Sequence, residues 1–182
     1  LFLIPPGILE VGLDSIPEAE IDGVEMDLTW LPVDGLSIHL GLAYLDAEVT
    51  ETISDVRGFP LAVPIPEGET LALSPEWSYN FLASYTTNVA NDYILNAQVD
   101  YTYRDEISGV LSDPNAITST RSNFGARFTI GPANEKWAVS LWGRNLTNEN
   151  DEVRSFTDFY GGRAIVRQLP KTYGVELRFN FF

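Results

Sequence analysis

From Thr172 to Phe181 the chain alternates without a break. Tyr173, Val175, Leu177, Phe179 and Phe181 fall on one side, and Thr172, Gly174, Glu176, Arg178 and Asn180 on the other. A period of two is the mark of a β-strand with one apolar face. Six more segments share it, predicted at Ala19–Leu31, Leu36–Glu48, Glu76–Thr86, Tyr93–Arg104, Thr120–Ile130 and Trp137–Asn145. The fourth is the clearest: Tyr93, Leu95, Ala97, Val99, Tyr101 and Tyr103 oppose Asn96, Gln98, Asp100, Thr102 and Arg104. Helical periodicity of comparable length is missing, so the chain reads as all-β.

The connections constrain the fold further. Pro32–Gly35, Thr87–Asp92 and Gly131–Lys136 are short and rich in turn formers. The connections between them are long and hold most of the proline and acid. Compact domains favour connections of about four to six residues. Short turns at one end with long loops at the other is the pattern of an antiparallel transmembrane β-barrel. The apolar faces carry Trp30, Tyr44, Trp77, Tyr85, Tyr93, Tyr103 and Trp137 near strand ends, where a membrane barrel places its two aromatic girdles. The opposite face holds Asp100, Arg104, Arg121, Arg127, Arg144, Glu176 and Arg178, which suits a wet or plugged lumen better than a dry core. A soluble carbohydrate-binding β-sandwich would share the aromatics but leave these charges to be paired inside. Seven is also an odd count for a bacterial barrel. With an apolar start that lacks an initiator Met, it makes the chain read as part of a larger barrel.

Charge narrows the partners. The net charge is −15, from 26 acids and 11 bases, which argues against nucleic acid, since that binding needs a basic face. Residues 1–18, 49–74, 105–119 and 147–162 hold fourteen of the acids and two of the bases. The charge therefore sits in the loops, where it would attract divalent cations that bridge lipopolysaccharide. With no Cys and a single His, thiol chemistry and a Cys/His zinc site are excluded, and no nucleophile–base set marks an enzyme. No cofactor is indicated.

Four stretches resemble the barrel of TonB-dependent receptors: IDGVEMDLTWLPVDGLSIHLGLAYLDAEV (Ile21–Val49), LSPEWSYNFLASY (Leu73–Tyr85), WAVSLWGRNLTNEN (Trp137–Asn150) and LPKTYGVELRFNFF (Leu169–Phe182). The resemblance implies that residues 1–182 are the C-terminal portion of a 22-stranded barrel, with 1–18 a partial outer loop and 19–182 its last seven strands. It implies an outer-membrane location with a periplasmic C-terminus, and a plug domain outside this chain. It further implies active uptake of a scarce solute, most often a ferric siderophore, driven by a periplasmic TonB-type coupling protein. A passive porin-like channel is the alternative. Tyr173, Phe179, Phe181 and Phe182 resemble the terminal aromatic signal read by the barrel-assembly machinery. Phe182 is out of phase with that face, so either Phe181 is the equivalent residue or a bulge shifts the phase.

Individual positions have plain readings beside the functional ones. His39 lacks a second His and suits a hydrogen bond on the polar face better than a metal. The arginines at 104, 121, 127, 144 and 178 would touch an anionic solute, or pair with Asp100, Glu176 or the plug. NENDEV (Asn148–Val153) has closely spaced oxygens but not the glycine and distal Glu of an EF-hand. Asn145–Thr147 fits a glycosylation pattern incidentally. Gly41, Gly125 and Gly174 are expected to ease packing against a plug. Phe59, Phe156, Phe159 and Tyr160 are loop aromatics able to stack on a ligand.

Overall fold

The computed structural model describes residues 2–3, 9–10, 18–56, 59–89, 92–158 and 160–181. Its main element is one antiparallel sheet of seven strands. They are β1 (Ala19–Val33), β2 (Leu36–Val49), β3 (Trp77–Val89), β4 (Tyr93–Arg104), β5 (Arg121–Pro132), β6 (Trp137–Arg144) and β7 (Thr172–Phe179). Each pairs only with its sequence neighbours, so the sheet is an up-and-down meander with β1 and β7 at its edges. It does not close on itself among the described residues. The seven predicted strands are the seven observed, with ends displaced by a few residues.

Register carries the alternation across the sheet. Leu28, Leu40, Phe81, Tyr101 and Phe124 stand opposite one another in turn on five strands. Ala97, Phe128, Leu141 and Val175 make a second apolar row on β4 to β7. A one-residue slip would turn every such side chain to the polar side, so the rows hold the register.

The distribution of burial is the reverse of a soluble protein's. The sheet's apolar face is uncovered, with Val24 67%, Leu141 56% and Val175 64% exposed. A continuous apolar surface of this extent is foreign to a soluble monomer. Most of the buried residues lie instead in the loop layer: Val49, Ile53, Ile107, Ala116, Asn145, Glu152, Ser155 and Gln168.

Aromatic pairs mark both edges of the apolar band. Tyr44 and Trp77 lie 4.8 Å apart and Tyr79 and Tyr103 stack at 4.7 Å on the loop side, while Tyr93 and Trp137 meet at 5.9 Å on the turn side. Tyr93 and Tyr103 share one strand. At about 3.4 Å per residue they are roughly 34 Å apart along it. A strand tilt of about 40° reduces that to the ~25 Å apolar band of an outer-membrane barrel.

The turn side is compact. Gly35, at φ 82°, closes the first turn where a Cβ would strike the Thr86 carbonyl oxygen. Asp92 and Glu135 take left-handed conformations in the other two. Ala90 and Asn91 of the second turn lie outside the described residues. Asn180 ties the end of β7 to the third turn, donating from Nδ2 to the Glu135 carbonyl at 2.6 Å.

The long connections are more ordered than plain loops, which is where the structure departs from the expectation. Phe2–Leu3 pairs with Leu9–Glu10, Ile53–Val56 with Phe59–Ile65, and Glu152–Thr157 with Arg163–Arg167. A 3-10 turn spans Pro114–Ala116, capped by Asp113. These hairpins are short and two of them shift register, so alternation within them is too brief to read against proline and acid.

Candidate functional site

The sheet's polar face and the loop layer above it form one continuous surface. At mid-height of the face, Glu176 on β7 pairs with Arg127 on β5 at 2.9 Å. Both side chains are partly exposed, so water screens the pair and it contributes little to stability. Trp142, on β6 opposite Arg127, lies across Gly174, where an added Cβ would come 3.0 Å from the indole. The Arg144 guanidinium stands 6.0 Å from the Trp142 ring centre, within range of a cation–π contact. Asp100 lies over Gly125 in the same way, with an Asp100 oxygen 2.6 Å from where a Cβ would be. On the same face, at its β1–β2 edge, His39 Nδ1 lies 3.0 Å from Thr29 Oγ1. Arg178 stands opposite Ala138.

Several sequence expectations change here. Gly41, Gly125 and Gly174 each leave space for a side chain of the neighbouring strand: Asn80, Asp100 and Trp142. Asp100 pairs with no arginine among the described residues; Glu176 alone takes that role on this face, through Arg127. Trp142 was not singled out from sequence. Its signal was available, because it interrupts an otherwise polar face between Arg127 and Arg144.

At the outer end of the face sit Arg104 and Arg121, directly opposite each other on β4 and β5. Arg121 Nε donates to Gln168 Oε1 at 3.4 Å. Arg104 Nε and Nη2 are buried with no hydrogen-bond partner.

Above them the loops are laced together. Asp105 accepts from the Trp77 N–H at 3.0 Å and from the Tyr103 hydroxyl at 2.6 Å, clamping β3 to β4 where they leave the sheet. Glu69 Oε1 accepts from the Ser112 N–H at 2.8 Å, joining the second long loop to the third. The third joins the fourth through Asp113, which accepts from Thr157 Oγ1 at 2.8 Å, and through Ser155 Oγ, which donates to the Asn115 carbonyl. Arg163 is the hub of that contact. Its Nη2 donates to Glu152 Oε2 at 2.6 Å and to the Ile117 carbonyl at 2.7 Å.

Asn145 closes β6. Buried to 2% exposure at φ 49°, it donates from Nδ2 to the carbonyls of Glu149 and Leu169 at 2.8 and 2.9 Å, and accepts from the Glu149 N–H at 2.9 Å. The phrase GRNLTNEN is therefore the device that turns the chain out of the sheet and ties it to the returning strand. In NENDEV, Asn148 accepts from the Lys171 N–H, Asp151 from the Ser122 N–H, and Glu152 from Arg163. These oxygens are committed to protein donors, and the described residues hold no cluster of three metal-binding side chains.

Between the second and third long loops lies a cleft of about 730 Å³, lined by Glu69, Glu76, Asp105, Glu106 and Asp113 among others. Of the loop aromatics, Tyr160 is exposed and Phe156 partly so, with the Arg154 guanidinium 5.6 Å from the Phe156 ring centre. Tyr173, Phe179 and Phe181 are exposed on the apolar side. Phe159 and Phe182 lie outside the described residues.

A meander with an uncovered apolar face, a charged opposite face and an ordered loop crown defines the wall of a membrane β-barrel. The chain matches the family described as TonB dependent receptor-like, beta-barrel, over residues 6–146. It belongs to that family, which implies the outer membrane. Among solved structures, the ferric yersiniabactin uptake receptor FyuA from Yersinia pestis is similar, with a TM-score of 0.69 at 15% identity. That match covers 90% of this chain and 24% of FyuA, so the chain spans about a quarter of the receptor's length. No curated protein matches.

Proposed function

We propose that the chain forms wall and outer loops of a TonB-dependent active transporter that imports a scarce solute, most simply a ferric siderophore or similar iron complex. The observation that carries this reading is the pairing of a lipid-facing apolar sheet with a charged opposite face, in a chain of this family. The iron-complex substrate is supported by FyuA, which is itself a ferric yersiniabactin uptake receptor.

In this arrangement the polar face lines a lumen occupied by a plug. The long loops face outward among lipopolysaccharide, and the short turns and the C-terminus face the periplasm. The seven strands are the last seven of a 22-stranded barrel, and the aromatic run of β7 is the segment read by the assembly machinery. His39, Asp100, Arg104, Arg121, Arg127, Arg144, Glu176 and Arg178 are the wall's contacts to plug and solute. The work is binding and gated passage, without bond chemistry. The coupling protein acts through a segment outside this chain.

Uptake of radiolabelled iron complexes by cells expressing the full-length receptor tests this. Uptake is expected to need both the receptor and the inner-membrane coupling protein. Uptake that continues unchanged without the coupling protein would leave a passive channel as the function.

A further inference from the structure

Polar side chains buried in a native protein almost always have partners, and arginine has five donors in a rigid fork. Arg104 departs from both. Two of its three guanidinium nitrogens are buried and unbonded, and the residue directly across the ladder is another arginine, Arg121. Like charges at directly opposed sites repel. Arg121 has one long contact to a neutral amide, which does nothing to offset the charge. Other arginines of this surface are accommodated: Arg127 by Glu176, Arg163 by Glu152, and Arg144 over Trp142. Among the described residues no carboxylate bonds to either member of the Arg104–Arg121 pair.

We propose that Arg104 and Arg121 form a carboxylate-binding subsite, which takes an anionic group of a small solute entering through the cleft above them. An oxyanion between the two would fill the orphan donors and remove the repulsion together. The guanidinium fork fits a planar carboxylate with two parallel hydrogen bonds. A solute is favoured as the source because the pair lies at the loop end of the face. Asp105 and Glu106, which follow Arg104, and Thr120, which precedes Arg121, all line the cleft. The acidic cleft wall weakens the hold on a free anion without cancelling the two guanidinium charges, so a carboxylate borne on a larger body with neutral or cationic parts binds more tightly than a free one. This assignment rests on the transport reading and names the chemistry its solute would bring.

Equilibrium dialysis of the purified full-length receptor against radiolabelled succinate tests the subsite without any coupling protein, so its result is separate from that of uptake. Saturable binding is expected, undisturbed by excess succinamide, which has the same shape and no charge. Arg104→Gln and Arg121→Gln should each weaken it tenfold or more, Arg104→Lys by less, and Arg154→Gln not at all. Each variant's folding is checked by its heat-dependent shift on a denaturing gel. On the wild-type protein, succinate should also slow phenylglyoxal labelling of Arg121 without slowing that of Arg154. Absence of saturable succinate binding by the wild type would overturn the proposal. So would equal displacement by succinamide, or wild-type affinity in folded Arg104→Gln.

Discussion

Asn145 shows how much structure one side chain can hold. It combines a left-handed backbone with three side-chain hydrogen bonds in a site closed to water. Alanine would lose those bonds, leave buried backbone groups unsatisfied and sit in a conformation that costs a Cβ about 1–2 kcal/mol. Asn145→Ala in the full-length receptor is expected to lower stability by about 3–5 kcal/mol. Asn145→Gly keeps the φ freedom and should recover about 1 kcal/mol of that. Urea unfolding of the receptor refolded into lipid vesicles would measure both. A loss below ~1 kcal/mol in the alanine variant would mean that the turn is held by something else. A neighbouring case is Gly125, whose missing Cβ is the space Asp100 occupies.

At the scale of elements, the hairpin of Glu152–Thr157 and Arg163–Arg167 extends beyond the sheet. Such a unit has little apolar burial of its own and depends on docking. Glu152, the first residue of the hairpin, holds the Arg163 side chain that makes the docking contact. It is buried, accepts from Arg163, and lies 3.8 Å from Arg167. Arg163 in turn reaches the carbonyls of Asn115 and Ile117 in the preceding loop. Glu152→Gln replaces a charge-assisted contact with a neutral one and is expected to ease local opening by about 1.5–3 kcal/mol. Protease cleavage between Thr157 and Arg163 should then quicken by one to two orders of magnitude. Glu149→Gln is the control, because the interactions described for Glu149 run through its backbone. Equal cleavage rates in the two variants would refute the docking role.

At the scale of the whole molecule, the main question is which side of the sheet meets lipid. Gln98 and Val99 are consecutive residues in the middle of β4 and point to opposite faces. Val99→Lys places a charge inside the apolar band and is expected to cost about 2–4 kcal/mol. Gln98→Lys places the same charge on the polar face, where the cost should stay below about 1 kcal/mol. Vesicle refolding of both variants measures the difference. Equal costs would remove the membrane assignment of the apolar face. The crown of loops has its own core around Val49, Ile107 and Ala116, so a barrel-wall substitution of this kind should leave the crown's packing in place.

The strands, their faces and their order were legible in the chain because a period of two records burial directly: lipid on one side and polar surroundings on the other leave an unbroken alternation from Leu95 to Arg104. Turn chemistry was equally local, as at Asp34–Gly35. The charged residues of the polar face were identifiable, but their partners were not. That Arg127 meets Glu176, that Asp100 fills the space above Gly125, and that Arg104 faces Arg121 all depend on register between strands. Register is set by the sum of apolar rows across the sheet and leaves no mark at any single position. The loop crown was the least legible part. Asn145, Glu152 and Arg163 act across about 11 to 46 residues of chain, and only the folded structure brings those distances down to a hydrogen bond.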